Sequence, residues 1–500
     1  SFSYLLGILY MQKNIITSLI GLSFIVILVL SLFVFFPSRF LLNVDSYEIL
    51  NSNILNKDIS IVTPETKETT PYNRVAVSLV SDLLSDNPVS LQIVQRGLLI
   101  LSIPLFLLLS QRFVKNQFLA LFSTALYALA PAVLFMTVPV SSDIFALFFL
   151  LLGLYLLFKN NSSPSVFPKW ISFLFLMISF LFRVEYLLIL VPFLLTQQIK
   201  RKTFLILAFA AIAGHLVIHL PIILQTNILS VLQELRVEVI SIVLFATFVG
   251  LILLKLNKEQ ARSLLIKTLG IISLVLFVVL LIINPLGVNG PILVSALLPL
   301  ILILFQIVIN NNAPIFKSRE FIFLSVTVSL FFLFYKSLYF QHLIVIIPFM
   351  ALLTGMLLES LQFTKNTQLL IFVINCCLLV AGYKFFFGNI TVDYPQFIAR
   401  QVTLIASEYD STEISIFSYA PQAMAYYTGW KSYSLSSSRS KTNSSLLFIV
   451  STDQKGTEQI PNYVLVKTKA LPEFRDYSFY EENLGYNTRL YVNIYRRIIN

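Results

Sequence analysis

Residues 169–197 read KWISFLFLMISFLFRVEYLLILVPFLLTQ. Two apolar runs, 169–182 and 185–197, flank the charged turn Phe182-Arg183-Val184-Glu185. Each run is shorter than the roughly 20 residues a helix needs to cross the hydrocarbon of a bilayer. Together they read as one broken helix or as two half-helices. A break at membrane depth aims charged groups and free backbone at a cavity. Charges placed there are costly unless they are paired or watered, so Arg183 and Glu185 are the first place to look for chemistry.

Working outward, the same apolar pattern recurs. About thirteen candidate spans fall at 15–36, 91–110, 117–138, 142–158, 169–182, 185–197, 203–224, 237–254, 266–284, 291–309, 321–335, 339–358 and 367–386. The composition agrees: 57% of residues are hydrophobic and 12% charged, against about 25% charged in an ordinary globular chain. The expected fold class is therefore an α-helical polytopic membrane protein of about 13 transmembrane helices. Residues 1–388 would form the transmembrane domain, with a long first outer loop at 37–90 carrying juxtamembrane helices near 45–56 and 74–84. Residues 389–500 would form a small extracytoplasmic α/β domain.

Sidedness follows from the basic residues of alternate short loops. One set holds Lys13, Arg112, Lys115, Lys159, Lys169, Lys200, Arg201, Lys202, Lys255, Lys258, Arg262, Lys267, Lys317, Arg319 and Lys365, whereas the other holds little beyond Arg183, Arg236 and Lys336. This predicts a multi-pass protein of the cytoplasmic membrane, N-terminus inside and C-terminal domain outside. The net charge of +11 is spread between apolar blocks and forms no stripe, so it speaks for topology and against nucleic acid. The chain opens on Ser1, which leaves room for residues upstream. The block at 15–36 is too long for a signal-peptide core and lacks a small-residue cleavage site. Cys376 and Cys377 are adjacent and match no zinc spacing. Richness in Ile, Asn, Ser and Lys fits an AT-rich prokaryotic genome, archaeal ones included.

The tail changes composition. An amphipathic helix is expected over Pro395–Tyr409, a strand over Glu413–Tyr419, and a short helix over Ala420–Tyr427 closed by Gly429. Further strands are expected at Leu446–Ser451, Tyr463–Lys467 and Arg489–Tyr495, with a flexible Ser- and Asn-rich loop over 432–445.

On this topology the ionisable groups gather at the outer boundary. Asp45 and Glu48 follow the first span, Asp143 opens the fourth, and Glu234, Arg236 and Glu238 precede the eighth. Lys336 lies between the eleventh and twelfth, and His215, His219 and His342 lie near outer ends. For Glu48, Glu234, Glu238 and Lys336 a place at a span end, among headgroups and water, is the first reading and a part in the chemistry the second. His215 and His219 share a helix face at i, i+4, a geometry metals use, but no matched third ligand stands beside them. The sequence contains no P-loop, GxSxG, HExxH, paired CxxC or dinucleotide fingerprint.

Several segments together resemble the GT-C superfamily of membrane glycosyltransferases, the group that includes protein O-mannosyltransferases and aminoarabinose transferases. Asn43-Val44-Asp45-Ser46-Tyr47 looks like the family's acidic first-loop motif. Ala130-Pro131-Ala132-Val133-Leu134 and Ser141-Ser142-Asp143-Ile144 resemble its third and fourth spans, and Phe182-Arg183-Val184-Glu185 its Arg-x-Glu turn. The stretch from Gln341 and His342 to Pro348 resembles its late-span pattern, and Ala420–Gly429 a segment of its outer domain. Many relatives carry two adjacent acids where this chain has Asp45 followed by Ser46, which leaves Glu48 as the second acid.

The resemblance implies a polyprenyl-phosphate-linked sugar donor, a membrane-lipid environment, and a protein, lipid or glycan acceptor outside the cytoplasm. Asp45 would be the general base that deprotonates the acceptor hydroxyl. Arg183, with His342, Lys336 and Arg236 behind it, would meet the charge developing on the lipid phosphate. Glu185 would orient Arg183, and Asp143 would shape the sugar or acceptor pocket. No cofactor is required by this resemblance, a divalent metal is compatible with it, and the lipid-linked sugar is the donor substrate. Two other readings fit a broken helix among apolar helices: a transporter or lipid or polysaccharide flippase, and a non-catalytic subunit that keeps the fold without the chemistry.

Overall fold

The computed structural model describes residues 2–35, 75–84, 88–130, 140–162, 169–196, 318–334, 340–364, 366–375, 394–409, 413–418, 421–435, 444–451, 459–471 and 490–498, with isolated positions elsewhere. The chain divides into two compact units. One comprises residues 1–37, 93–137 and 142–386, and the other residues 38–92, 138–141 and 387–500.

The helices are α1 (Phe2–Phe35), α2 (Val75–Leu83), α3 (Pro88–Phe113), α4 (Gln117–Ala128), α5 (Asp143–Ser162) and α6 (Lys169–Phe182). A 3₁₀ helix (Val184–Ile189), α7 (Leu190–Leu195), α8 (Arg319–Phe334) and α9 (Phe340–Ser360) follow. The expectation of about thirteen transmembrane helices does not hold. Among the described residues one helix, Val89–Phe113, is long and apolar enough to cross a membrane, and half of its most apolar window is buried inside the protein. Other apolar helices described are shorter, among them Ser18–Phe33, Trp170–Phe182 and Ile344–Ser360. The spans expected at 237–254, 266–284 and 291–309, with part of 203–224, lie outside the described residues. The run at 117–138 holds the twelve-residue α4, whose helical geometry stops at Leu129, and Val133 and Leu134 are helical again beyond it. The run at 185–197 is split between a 3₁₀ helix and the six-residue α7. Hydropathy registers apolar content, but does not tell a lipid-facing helix from one packed against other helices. The architecture described is mixed, with a helical unit and a five-stranded sheet.

The helical unit is held together by close backbone approach. A Cβ at Gly153 on α5 would lie 2.8 Å from Leu176 Cγ of α6. A Cβ at Gly355 on α9 would collide with Ser123 Oγ of α4 and stand 3.0 Å from Val114 Cγ2. Phe323, Phe331 and Phe349 are buried between α8 and α9, with the Phe331 and Phe349 rings 6.0 Å apart. Asn116 caps α4, its Oδ1 accepting from the Phe118 and Leu119 N–H groups.

In the second unit, α10 (Tyr394–Ala406) and α11 (Pro421–Thr428) accompany strands β1 (Ile414–Ser418), β2 (Lys431–Ser434), β3 (Leu446–Ser451), β4 (Tyr463–Ala470) and β5 (Tyr491–Arg497). The order is β2-β1-β3-β5-β4, with β1 parallel to β2 and β3, and β5 antiparallel to β3 and β4. Strand alternation builds two cores. Ile414, Ile416, Leu446, Phe448, Val450, Val492 and Ile494 pack with Val402 of α10 and Met424 of α11. Phe417, Leu447, Ile449 and Tyr495 pack on the other face with Ile460 and Tyr463. Gly429 ends α11 at φ +69°, a left-handed conformation that glycine adopts without Cβ strain. The loop expected over 432–445 begins instead inside edge strand β2.

Candidate functional site

The site begins with a local conflict in the sequence. Pro192 has no N–H to give the Leu188 carbonyl, and its ring crowds that turn, so a regular α-helix cannot run unbroken through it. Residues 184–189 wind as a 3₁₀ helix, and Arg183 is extended at φ −146° and ψ 104°, between α6 and that turn. The Arg183 N–H still bonds Ser179 O at 2.9 Å, and its carbonyl accepts from the Tyr186 N–H at 3.2 Å. Ser179 Oγ donates to Ala146 O at 2.7 Å, tying this end of α6 to the start of α5. Phe182 stacks on Phe145, with ring centroids 5.3 Å apart.

Arg183 reaches two carboxylates from this break. Nη2 pairs with Asp143 Oδ1, and Nη1 donates to Glu185 Oε1 at 2.7 Å. Asp143 stands in the first turn of α5, where the helix dipole favours negative charge. Its side chain is 4% exposed, against 14% for Arg183 and 19% for Glu185. The Asp143 pairing is thus the interior, weakly screened half of the triad, and the Glu185 pairing is the half nearer solvent. In this triad two carboxylates share one guanidinium.

Tyr186 follows directly. Its ring is fully buried and meets Phe331 edge-on at 6.1 Å and 89°. Among the described residues no hydrogen-bond partner faces Tyr186 Oη. An unmet buried hydroxyl costs about 1–3 kcal/mol, so it calls for a reason. Tyr127 is satisfied by contrast. Its Oη lies 2.6 Å from Ser102 Oγ, and its ring stacks on Phe106 at 4.4 Å.

Of the residues expected at the site, Asp143, Arg183 and Glu185 are brought together. Asp45, Glu48, His215, His219, Arg236 and Lys336 lie outside the described residues. His342 falls in the first turn of α9. Among the described residues no three His, Cys, Asp or Glu side chains gather in a way that could hold a metal ion. Sequence reasoning passed over Tyr186, whose signal is a lone hydroxyl in an aliphatic run next to the charged turn. It also passed over Arg96, whose guanidinium lies over the Phe33 ring at 5.2 Å.

No protein-family profile matches the chain, and a search of characterised proteins returns no match either.

Proposed function

We propose that the chain is a glycosyltransferase that takes a sugar from a polyprenyl-phosphate-linked donor to an acceptor at the extracytoplasmic surface of a cytoplasmic membrane. The observation that carries this reading is the anchored guanidinium of Arg183, fixed on the buried side by Asp143 and bonded on the more exposed side by Glu185. A planar fork of N–H donors suits an anionic oxygen, and one already locked in place loses little freedom when it binds.

The donor phosphate exchanges with Glu185 at Nη1, replacing one anionic oxygen with another, while Asp143 keeps the guanidinium in place. The acceptor hydroxyl attacks the anomeric carbon, its proton passes to the Asp45 carboxylate, and the bond from that carbon to the phosphate oxygen breaks. The electron pair leaves on the lipid phosphate, whose new charge meets Arg183.

The test is release of polyprenyl phosphate by the purified chain from a polyprenyl-phospho-sugar. The expected result is turnover that falls about a hundredfold in Arg183→Lys, which keeps the charge and loses the fork. Turnover unchanged by that substitution, or sugar accumulating intact inside vesicles with no release of lipid phosphate, would refute the reading.

A further inference from the structure

We propose that Tyr186 Oη is a hydrogen-bond donor to the ligand of the Arg183 site, binding a phosphate oxygen of the lipid-linked donor. This rests on the reading of Arg183 as the phosphate clamp and adds a second contact to it. Three observations support it. The Tyr186 ring is completely buried and held edge-on against Phe331, so its hydroxyl has a fixed position. That hydroxyl has no partner among the described residues, whereas the nearby Tyr127 hydroxyl is satisfied by Ser102. Tyr186 also directly follows Glu185 in the 3₁₀ helix that Arg183 precedes.

A buried donor that the surrounding side chains leave unmet is placed to serve an acceptor on a ligand. Aliphatic ligand parts cannot take that bond, and the anionic oxygen that Arg183 would bind can. Glu185 precedes Tyr186 in the chain and is the most exposed member of the triad, so its exchange for phosphate opens the turn that carries Tyr186. The phenol keeps its proton throughout and forms no covalent bond.

Tyr186→Phe removes the hydroxyl and keeps the ring. The experiment compares the full-length wild type and Tyr186→Phe in detergent, measuring melting without ligand and affinity for a polyprenyl phosphate and for the matching polyprenol. Wild type is expected to bind the phosphate more tightly than the alcohol. Tyr186→Phe is expected to melt at the same temperature or higher and to bind the phosphate about ten- to a hundredfold more weakly. Phosphate affinity unchanged by Tyr186→Phe would overturn the inference and leave the Arg183 reading standing. A lower melting temperature would mark the hydroxyl as internally bonded, and an equal loss for the polyprenol would deny the phosphate contact; either overturns the inference. Wild type binding phosphate no better than alcohol would instead overturn the Arg183 reading on which it rests.

Discussion

Arg183 Nη1 donates to Glu185 Oε1 across 2.7 Å, although only Val184 separates the two along the chain. So short a loop closes because Arg183 is extended and Glu185 sits in the first turn of a 3₁₀ helix. The same guanidinium reaches the buried Asp143 on another helix.

The charge balance of the triad predicts an order of stability losses. Arg183→Gln takes from Asp143 and Glu185 the cation they share and should cost about 3–5 kcal/mol. Asp143→Asn leaves the Arg183–Glu185 pair intact and should cost about 1–2 kcal/mol. Glu185→Gln, at the more exposed pairing, should cost least. Denaturant unfolding of the three variants checks the order, and an Arg183→Gln loss smaller than that of Asp143→Asn would contradict it.

The break at Arg183 was legible because a charged turn inside an apolar run is costly unless the helix is interrupted there and its charges are paired. Asp143 was legible as a charge at a helix start, but its pairing with Arg183 is a tertiary fact. Strands such as Leu446–Ser451, expected and observed with the same bounds, announce themselves by β-branched and aromatic content. Strand β2, Lys-Ser-Tyr-Ser, has the composition of a loop and is a strand because the β1 edge pairs with it. The count of membrane spans failed because hydropathy does not see where a helix stops. Leu129 ends α4 in mid-run, and Pro192 disrupts the turn before it.

Gly355 permits the close approach of α9 to α4. Gly355→Ala drives a methyl into Ser123 Oγ and should destabilise by about 1–3 kcal/mol. Adding Ser123→Ala removes the obstructing oxygen and should recover part of the loss. Melting of the single and double variants decides it, and no recovery would place the strain elsewhere.

The Glu359 carboxylate accepts the Lys115 N–H at 3.1 Å and the Asn116 N–H at 2.7 Å, fastening the turn before α4 to the end of α9. Glu359→Ala should cost about 1 kcal/mol, and Glu359→Gln, which keeps one acceptor oxygen, should cost less. Equal stability of Glu359→Ala and wild type would show that the fastening carries no weight.

In the sheet unit, Lys469 bonds the Glu408 carboxylate, and Lys467 Nζ stands 3.9 Å from it. The Lys469 hydrogen bond holds Glu408 below its ordinary value of 4.5. A carboxyl with a lowered folded-state value stabilises the fold above its unfolded value, and that contribution disappears as pH falls through the folded value. Wild type should therefore lose more stability than Glu408→Gln on acidification below pH 4.5, by a difference that shrinks in high salt. Parallel acid limbs for the two proteins would rule the pair out as a contributor.

The most direct measurement is a structure of the full chain with a non-cleavable phosphonate analogue of a polyprenyl-phospho-sugar bound. The expected result is a phosphonate oxygen at about 2.7–3.2 Å from an Arg183 guanidinium nitrogen, with Asp143 still paired to Arg183. A phosphonate held by other residues, with the Arg183–Glu185 bond undisturbed, would contradict the account.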